Sequence, residues 1–142
     1  ALCSALSSTA NIKNVIKRYS KLKKEDIKEL PIIVESKIIS LKTKEIENSL
    51  RNILGKNIFE LIQKKKNIRS GKGKLRGRKY KQNAGLLIII GKDEKLKTKN
   101  FEVVNAKNLS VTNLAKGGLG RLVLYTENAI KQLENIKWKS KI

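Results

Sequence analysis

The sequence contains no histidine and no methionine, and only one cysteine, one proline and one tryptophan. Each absence narrows what the chain can do. Histidine is the side chain most often used to move protons near neutral pH, and it is a principal zinc ligand. A chain without it, and with Cys3 as its lone thiol, lacks the ligand set of a zinc site. One cysteine also forbids an intrachain disulfide; Cys3 reads as a small buried apolar residue, and a reducing compartment is the expectation. The missing initiator Met is what a processed, split or truncated chain would show. No apolar run approaches the roughly 18–20 residues of a membrane span. Ala1 to Ala10 lacks the basic start and long apolar core of a signal peptide. Neither a membrane partner nor a bound cofactor is expected. Ser and Asp fall in no triad spacing, and the carboxylates scatter beside lysines as on solvated helix faces. The chain does not read as an enzyme.

Acidic residues are also scarce. Twelve Asp and Glu face 33 Lys and Arg, for a net charge of +21 over 142 residues. The excess peaks between Lys64 and Lys81, where ten of eighteen residues are basic and none is acidic. Such crowding of like charge works against a folded state, so an external polyanion is implied. Within this loop, Lys64, Lys65, Lys66, Arg69, Lys72, Lys74, Arg76, Arg78, Lys79 and Lys81 are candidate phosphate contacts. Gly71, Gly73 and Gly77 let the backbone approach an anion. The arginines offer forked contacts and the lysines point charges, while Tyr80 can stack on a base or sugar. Outside the loop an excess of eleven positive charges remains, and Arg121 at the start of a strand is a second candidate phosphate contact.

A chain of this length forms about one domain, here residues 1–142 with the basic loop 64–81 and a frayed basic tail 137–142. Apolar spacing predicts a helix face over residues 2–19, weakened by Ser7, Ser8 and Thr9. Lys21 to Glu29 is charged and reads as a loop. Pro31 to Val34 reads as a buried strand opened by proline. Thr43 to Leu54 reads as a helix with Ile46, Leu50, Ile53 and Leu54 on one stripe and Gly55 just beyond it. Asn57 and Glu60, three apart, suggest a capping box on the next helix. Leu86 to Ile90 is apolar throughout, as in a parallel strand covered on both faces. One or two helical turns are expected in Asp93 to Lys99, a strand over Phe101–Asn105, and a helix capped by Asn108 or Ser110. Gly117, Gly118 and Gly120 make a turn, Arg121–Tyr125 the last strand, and Thr126 the N-cap of a final helix. Strands alternating with helices give an α/β fold with four mostly parallel strands.

The glycines do not form a dinucleotide loop. That motif follows a strand and opens a helix, whereas here a helix leads in and a strand leads out, and the spacing is one residue too long. A phosphate-binding loop ending in Gly-Lys-Ser/Thr is absent. Two readings compete with nucleic-acid binding to a defined partner: an RNA-modifying or nucleotide-using enzyme on a Rossmann-like sheet, and a generic polyanion binder. The first would place a ligand crevice at the strand C-termini.

The string Ile68-Arg69-Ser70-Gly71-Lys72-Gly73-Lys74-Leu75-Arg76-Gly77-Arg78-Lys79-Tyr80-Lys81 resembles the signature of the large-subunit ribosomal protein four family in its archaeal and eukaryotic form, with an archaeal ending. Lys116-Gly117-Gly118-Leu119-Gly120-Arg121-Leu122 and Tyr125-Thr126-Glu127-Asn128-Ala129-Ile130 are a second match, and Ala1 to Asn11 a weaker third. The resemblance implies a three-layer α/β sandwich with strand order 1-4-2-3 and helices on both faces. It implies a cytoplasmic, ribosomal, non-catalytic protein that binds large-subunit ribosomal RNA, supports its assembly and touches neighbouring large-subunit proteins. Lys72, Lys74, Arg76, Arg78, Lys79 and Lys81 would contact the RNA. Family members also carry an N-terminal part with a loop reaching the peptide exit tunnel. The likeness of this sequence is to the globular C-terminal part of the family. The tunnel role is therefore not an expectation for it, and a separate N-terminal fragment is a candidate partner.

Overall fold

The structure is a computed structural model that describes residues 1–22, 27, 29–96 and 98–135. The expected tail over 137–142, with Trp138, lies outside the described residues, as does most of the expected loop over Lys21–Glu29.

The central strand β4 (Leu87–Ile90) is apolar at every position and buried at every position. Successive side chains of a strand point to opposite faces, so Ile88 and Ile90 enter one core and Leu87 and Ile89 the other. Both faces are therefore covered, as the unbroken apolar run requires. Strand β4 pairs in parallel with β5 (Glu102–Asn105) and with β6 (Val123–Thr126), and β6 pairs in parallel with β1 (Ile32–Val34). Ile88 sits opposite Val103 on one side and Leu124 on the other.

The first core is closed by three helices, α2 (Ile12–Arg18), α3 (Thr43–Leu54) and α4 (Lys56–Ile62), through Val15, Ile46, Leu50, Leu54, Ile58, Phe59 and Ile62. The second is closed by α1 (Leu2–Ala10), α5 (Val111–Ala115) and α6 (Glu127–Asn135), through Ala5, Leu114 and Ala129. Three layers result, and each fully buried Leu or Ile contributes about 1.5–3 kcal/mol. The hydroxyl of Thr126 accepts from the Ala129 N–H at 3.3 Å, so Thr126 caps α6 as its sequence position predicts.

Several expectations need correction. Six strands exist among the described residues rather than four. The main sheet runs β1-β6-β4-β5, which is 1-4-2-3 counted over its own four strands; the labels differ only because two further strands lie between β1 and β4 in sequence. The difference arises because β2 (Lys66–Ile68) and β3 (Tyr80–Gln82) form a separate antiparallel hairpin inside the stretch expected as a loop. Strand β1 is an edge rather than a buried strand, and Ile33 is 52% exposed. The single helix expected over 2–19 is two. Asn11 breaks it with an extended backbone and caps α2 by accepting from the Lys13 N–H at 3.0 Å. Ile53 leaves the α3 stripe, which runs through Ile46, Leu50 and Leu54 at four-residue steps. No capping box forms at Asn57: Gly55, at φ +81°, ends α3 and opens α4 directly, placing Asn57 inside the helix. Neither Asn108 nor Ser110 caps α5 through its side chain; Asn108 ends a short 3-10 turn and Ser110 bonds Thr112 and Asn113 instead. Among the described residues of 93–99 there is a turn and no helix. Cys3 is exposed, because Ala5 and Thr9 supply the inward face of α1.

Candidate nucleic-acid interface

Helix α4 leads into the basic segment and β4 leads out of it. The segment is thus rooted in the core at both ends. Its base is tied by three devices. The Leu86 N–H donates to Ile62 O at 3.1 Å. The Asn83 amide accepts from the Lys65 N–H at 2.7 Å and donates to Gln63 O at 2.7 Å, joining the two strands of the stem. Gly85, at φ +64°, allows the closest approach: a Cβ there would stand 3.0 Å from Ile62 O.

The third device is Arg121. The sequence makes it a phosphate contact, and the structure corrects that, because Arg121 is fully buried. Its guanidinium donates to Gly85 O at 3.0 Å, Ala84 O at 2.6 Å, Asn113 O at 2.7 Å and the Glu102 carboxylate at 3.0 Å. Lys116 Nζ joins the same carboxylate at 3.0 Å. Burial pushes the Glu102 carboxyl upward, but Lys116 and Arg121 outweigh it and hold it below the ordinary glutamate value. Arg121 thus locks the hairpin base to β5 and α5.

Above this base the loop is ordered. In β2/β3, Lys66 faces Gln82, Asn67 faces Lys81 and Ile68 faces Tyr80. The Arg69 N–H continues the ladder to Lys79 O at 2.9 Å. Beyond it lies a 3-10 turn over Lys72–Lys74. The Arg76 and Arg78 N–H groups both donate to Gly73 O, at 3.2 and 3.0 Å, and Gly77 reverses the chain at φ +75°.

Strand alternation then sorts the side chains. Asn67, Arg69, Lys79 and Lys81 share one face, and Lys66, Ile68, Tyr80 and Gln82 the other. On the first side Arg69, Ser70, Gly71, Gly73, Arg78 and Lys81 line a concavity of about 350 Å³. The Arg69 stem crosses Gly73, whose Cβ would lie 3.7 Å from Arg69 Cδ. On the second side the Lys66 ammonium stands 4.0 Å from the Tyr80 ring centroid. Every residue from Lys64 to Gln82 is exposed except Gly73, which is half-buried. The ion pairs among the described residues join Lys37 to Glu35, and Lys116 and Arg121 to Glu102; none touches the hairpin. Arg69 and Lys79 face each other across the ladder, and like charges so placed repel.

The glycine turn at 117–120 meets the base of the hairpin, where a Cβ on Gly117 would lie 3.5 Å from Ala84 Cβ. The Arg18 guanidinium holds the turn, donating to Gly118 O at 2.6 Å and Lys116 O at 2.7 Å. Gly120, at φ +73°, lies against α2, where a Cβ would fall 2.5 Å from Asn14 O. Sequence reasoning missed Arg18, Asn83 and Glu102. Only Asn83 had a local signal, as an Asn just before Ala-Gly where a turn meets a strand.

The model of the Ribosomal protein L4/L1 family matches residues 1–136. Large ribosomal subunit protein uL4 of Saccharolobus solfataricus is 42% identical over 142 residues, covering 94% of this chain and 52% of that protein. Its counterpart in Sulfurisphaera tokodaii is 40% identical over 141 residues, with the same shares. That of Thermoplasma acidophilum is 36% identical over 139 residues, covering 94% and 54%. The chain spans about half the length of these archaeal relatives. With a three-layer α/β fold and the basic hairpin both inside the matched range, the chain belongs to the Ribosomal protein L4/L1 family.

Proposed function

We propose that this chain is a structural, non-catalytic constituent of the large ribosomal subunit, and that its basic hairpin grips large-subunit ribosomal RNA and supports its assembly. The observation that carries the reading is the hairpin itself: ten cations in eighteen residues, ordered by backbone hydrogen bonds, rooted in the core, and unmatched by any carboxylate within that span. The RNA contacts of this reading are Lys64, Lys65, Lys66, Arg69, Lys72, Lys74, Arg76, Arg78, Lys79 and Lys81, with Gly71, Gly73 and Gly77 shaping the backbone and Tyr80 beside them. Arg121 is not among them; it positions the hairpin. The phosphates of RNA supply the charge the hairpin lacks, with counterion release as the driving force. Neighbouring large-subunit proteins are the other partners.

A feature at the far end of the sheet supports a non-catalytic role. In open α/β enzymes the ligand sits at the C-terminal ends of the strands. Here the Glu94 carboxylate lies there, accepting from the Gly91 N–H at 2.6 Å, the Thr126 hydroxyl at 2.9 Å and the Asn128 amide at 2.8 Å. An internal anion thus takes the donors a bound phosphate would use. Among the described residues no helix is long and apolar enough to cross a membrane.

The test is co-sedimentation of the purified chain with large ribosomal subunits through a high-salt wash. An integral constituent stays bound; loss of the whole signal would overturn the reading in favour of a generic polyanion binder.

A further inference from the structure

The hairpin has two chemically different faces, and phosphate binding accounts for only one. Arg69, Lys79 and Lys81, with Arg78 at the turn, form the cationic side. The opposite side carries Ile68, 59% exposed, directly across from Tyr80, 46% exposed. Leu75 at the tip is 82% exposed. A two-stranded ribbon with no layer over either face gains nothing from holding an Ile and a Tyr in water. Lys66 lies over one face of the Tyr80 ring and limits the ring's freedom without covering it.

We propose that the Ile68–Tyr80 face packs against unpaired nucleobases, so that the hairpin selects RNA with an open, non-helical element rather than a continuous duplex. The inference rests on the RNA-binding reading above. Charge complementarity identifies the occupant. Anything that covers Ile68 and Tyr80 must lie beside Lys66, whose ammonium is 4.0 Å from the Tyr80 ring centroid, and within reach of Lys79, whose ammonium is 5.7 Å from it, with no carboxylate in the hairpin to offset them. The partner must therefore be strongly anionic and yet offer a flat apolar surface. An unstacked base next to its own phosphate does both. A base paired inside an A-form duplex does not, because its faces are stacked and its major groove is too narrow for side chains. The two faces divide the work: Arg69, Arg78 and Lys81 neutralise the backbone, and Ile68 with Tyr80 takes the base.

The test uses two RNA hairpins of equal length and charge, one fully paired and one with an internal loop of unpaired purines, each titrated with the intact chain. Wild type should bind the looped RNA about tenfold or more tightly, the scale of one base on an aromatic side chain. The double variant Ile68→Ser, Tyr80→Ser should lose that margin while keeping its dependence on salt. Tyr80→Phe should keep the margin. Arg69→Gln with Lys81→Gln should weaken both RNAs alike and flatten the salt slope by about two. Equal wild-type affinity for the two RNAs, with a steep salt slope, would overturn this inference and leave RNA binding intact. So would a double variant that keeps its preference, which would leave the apolar face to a protein neighbour. No binding to either RNA would instead overturn the function itself.

Discussion

Replacing Arg121 separates a residue that touches RNA from one that holds the RNA-binding element in place. Arg121→Met keeps much of the side-chain volume and removes every donor. Three backbone carbonyls, those of Ala84, Gly85 and Asn113, lose their side-chain partner, and the Glu102 carboxylate keeps only Lys116. Removing one partner of a buried ion pair costs about 3–5 kcal/mol. For a domain of this size each kcal/mol moves the melting temperature by about 3–5 °C, so a fall of about 10–20 °C is expected. Circular dichroism melts measure it directly. Arg121→Lys should fall between, because an ammonium keeps the charge but cannot reach three carbonyls and a carboxylate in one plane. Binding to RNA well below the melting point should retain the wild-type salt slope, since no phosphate contact is lost. A melting temperature within about 2 °C of wild type, together with a slope flatter by about one, would refute the reasoning and return Arg121 to the RNA surface.

Arg76→Ala with Arg78→Ala should do the opposite, leaving the melting temperature within about 2 °C, as surface changes do, and flattening the salt slope by about two in a filter-binding titration. Gly120→Ala places a Cβ 2.5 Å from the Asn14 backbone at φ +73°, and overpacking of this kind costs about 1–3 kcal/mol, visible as a lowered urea midpoint. Asn83→Ala should cost about 1–2 kcal/mol from the stem's two side-chain bonds, with hydrogen exchange fastest at Lys65. Acid should destabilise the fold through Glu94 and Glu102. For Glu94, burial acts upward but is outweighed by the hydrogen bonds from the Gly91 N–H, Asn128 and Thr126, and both carboxyls sit below the ordinary value of 4.5. Their contribution is complete above that value and is lost as pH falls through the depressed ones. Melting temperature should therefore hold from neutral pH to about 5 and drop below about 4.5, less so in Glu94→Gln.

Those predictions rest on features of unequal legibility. Leu86–Ile90 announced a doubly covered strand because every side chain is apolar, and Thr43–Leu54 announced a helix through its four-residue spacing and terminal glycine. The hairpin β2/β3 gave no such sign. It has no buried face to impose an apolar period, so its residues read as a charged loop although their backbone is fully laddered. Arg121 misled because a guanidinium is ordinarily a surface group; only the carbonyls of Ala84, Gly85 and Asn113, distant in sequence, show why it is inside. The basic site itself was legible from composition, since charge density needs no fold to be seen. Its division into a cationic and an apolar face needed the register of Ile68 with Tyr80.

The central claim is that the hairpin holds RNA by its uncompensated charge. Its most direct measurement is the slope of log affinity against log salt for a large-subunit ribosomal RNA fragment, taken for wild type and for a chain with Lys72, Lys74, Arg76, Arg78, Lys79 and Lys81 changed to Gln. With about 6–10 phosphates neutralised, wild-type affinity should fall about 10³–10⁵-fold between 50 and 200 mM salt, and the variant should lose most of that dependence. A flat wild-type response, or a variant as salt-sensitive as wild type, would contradict the account.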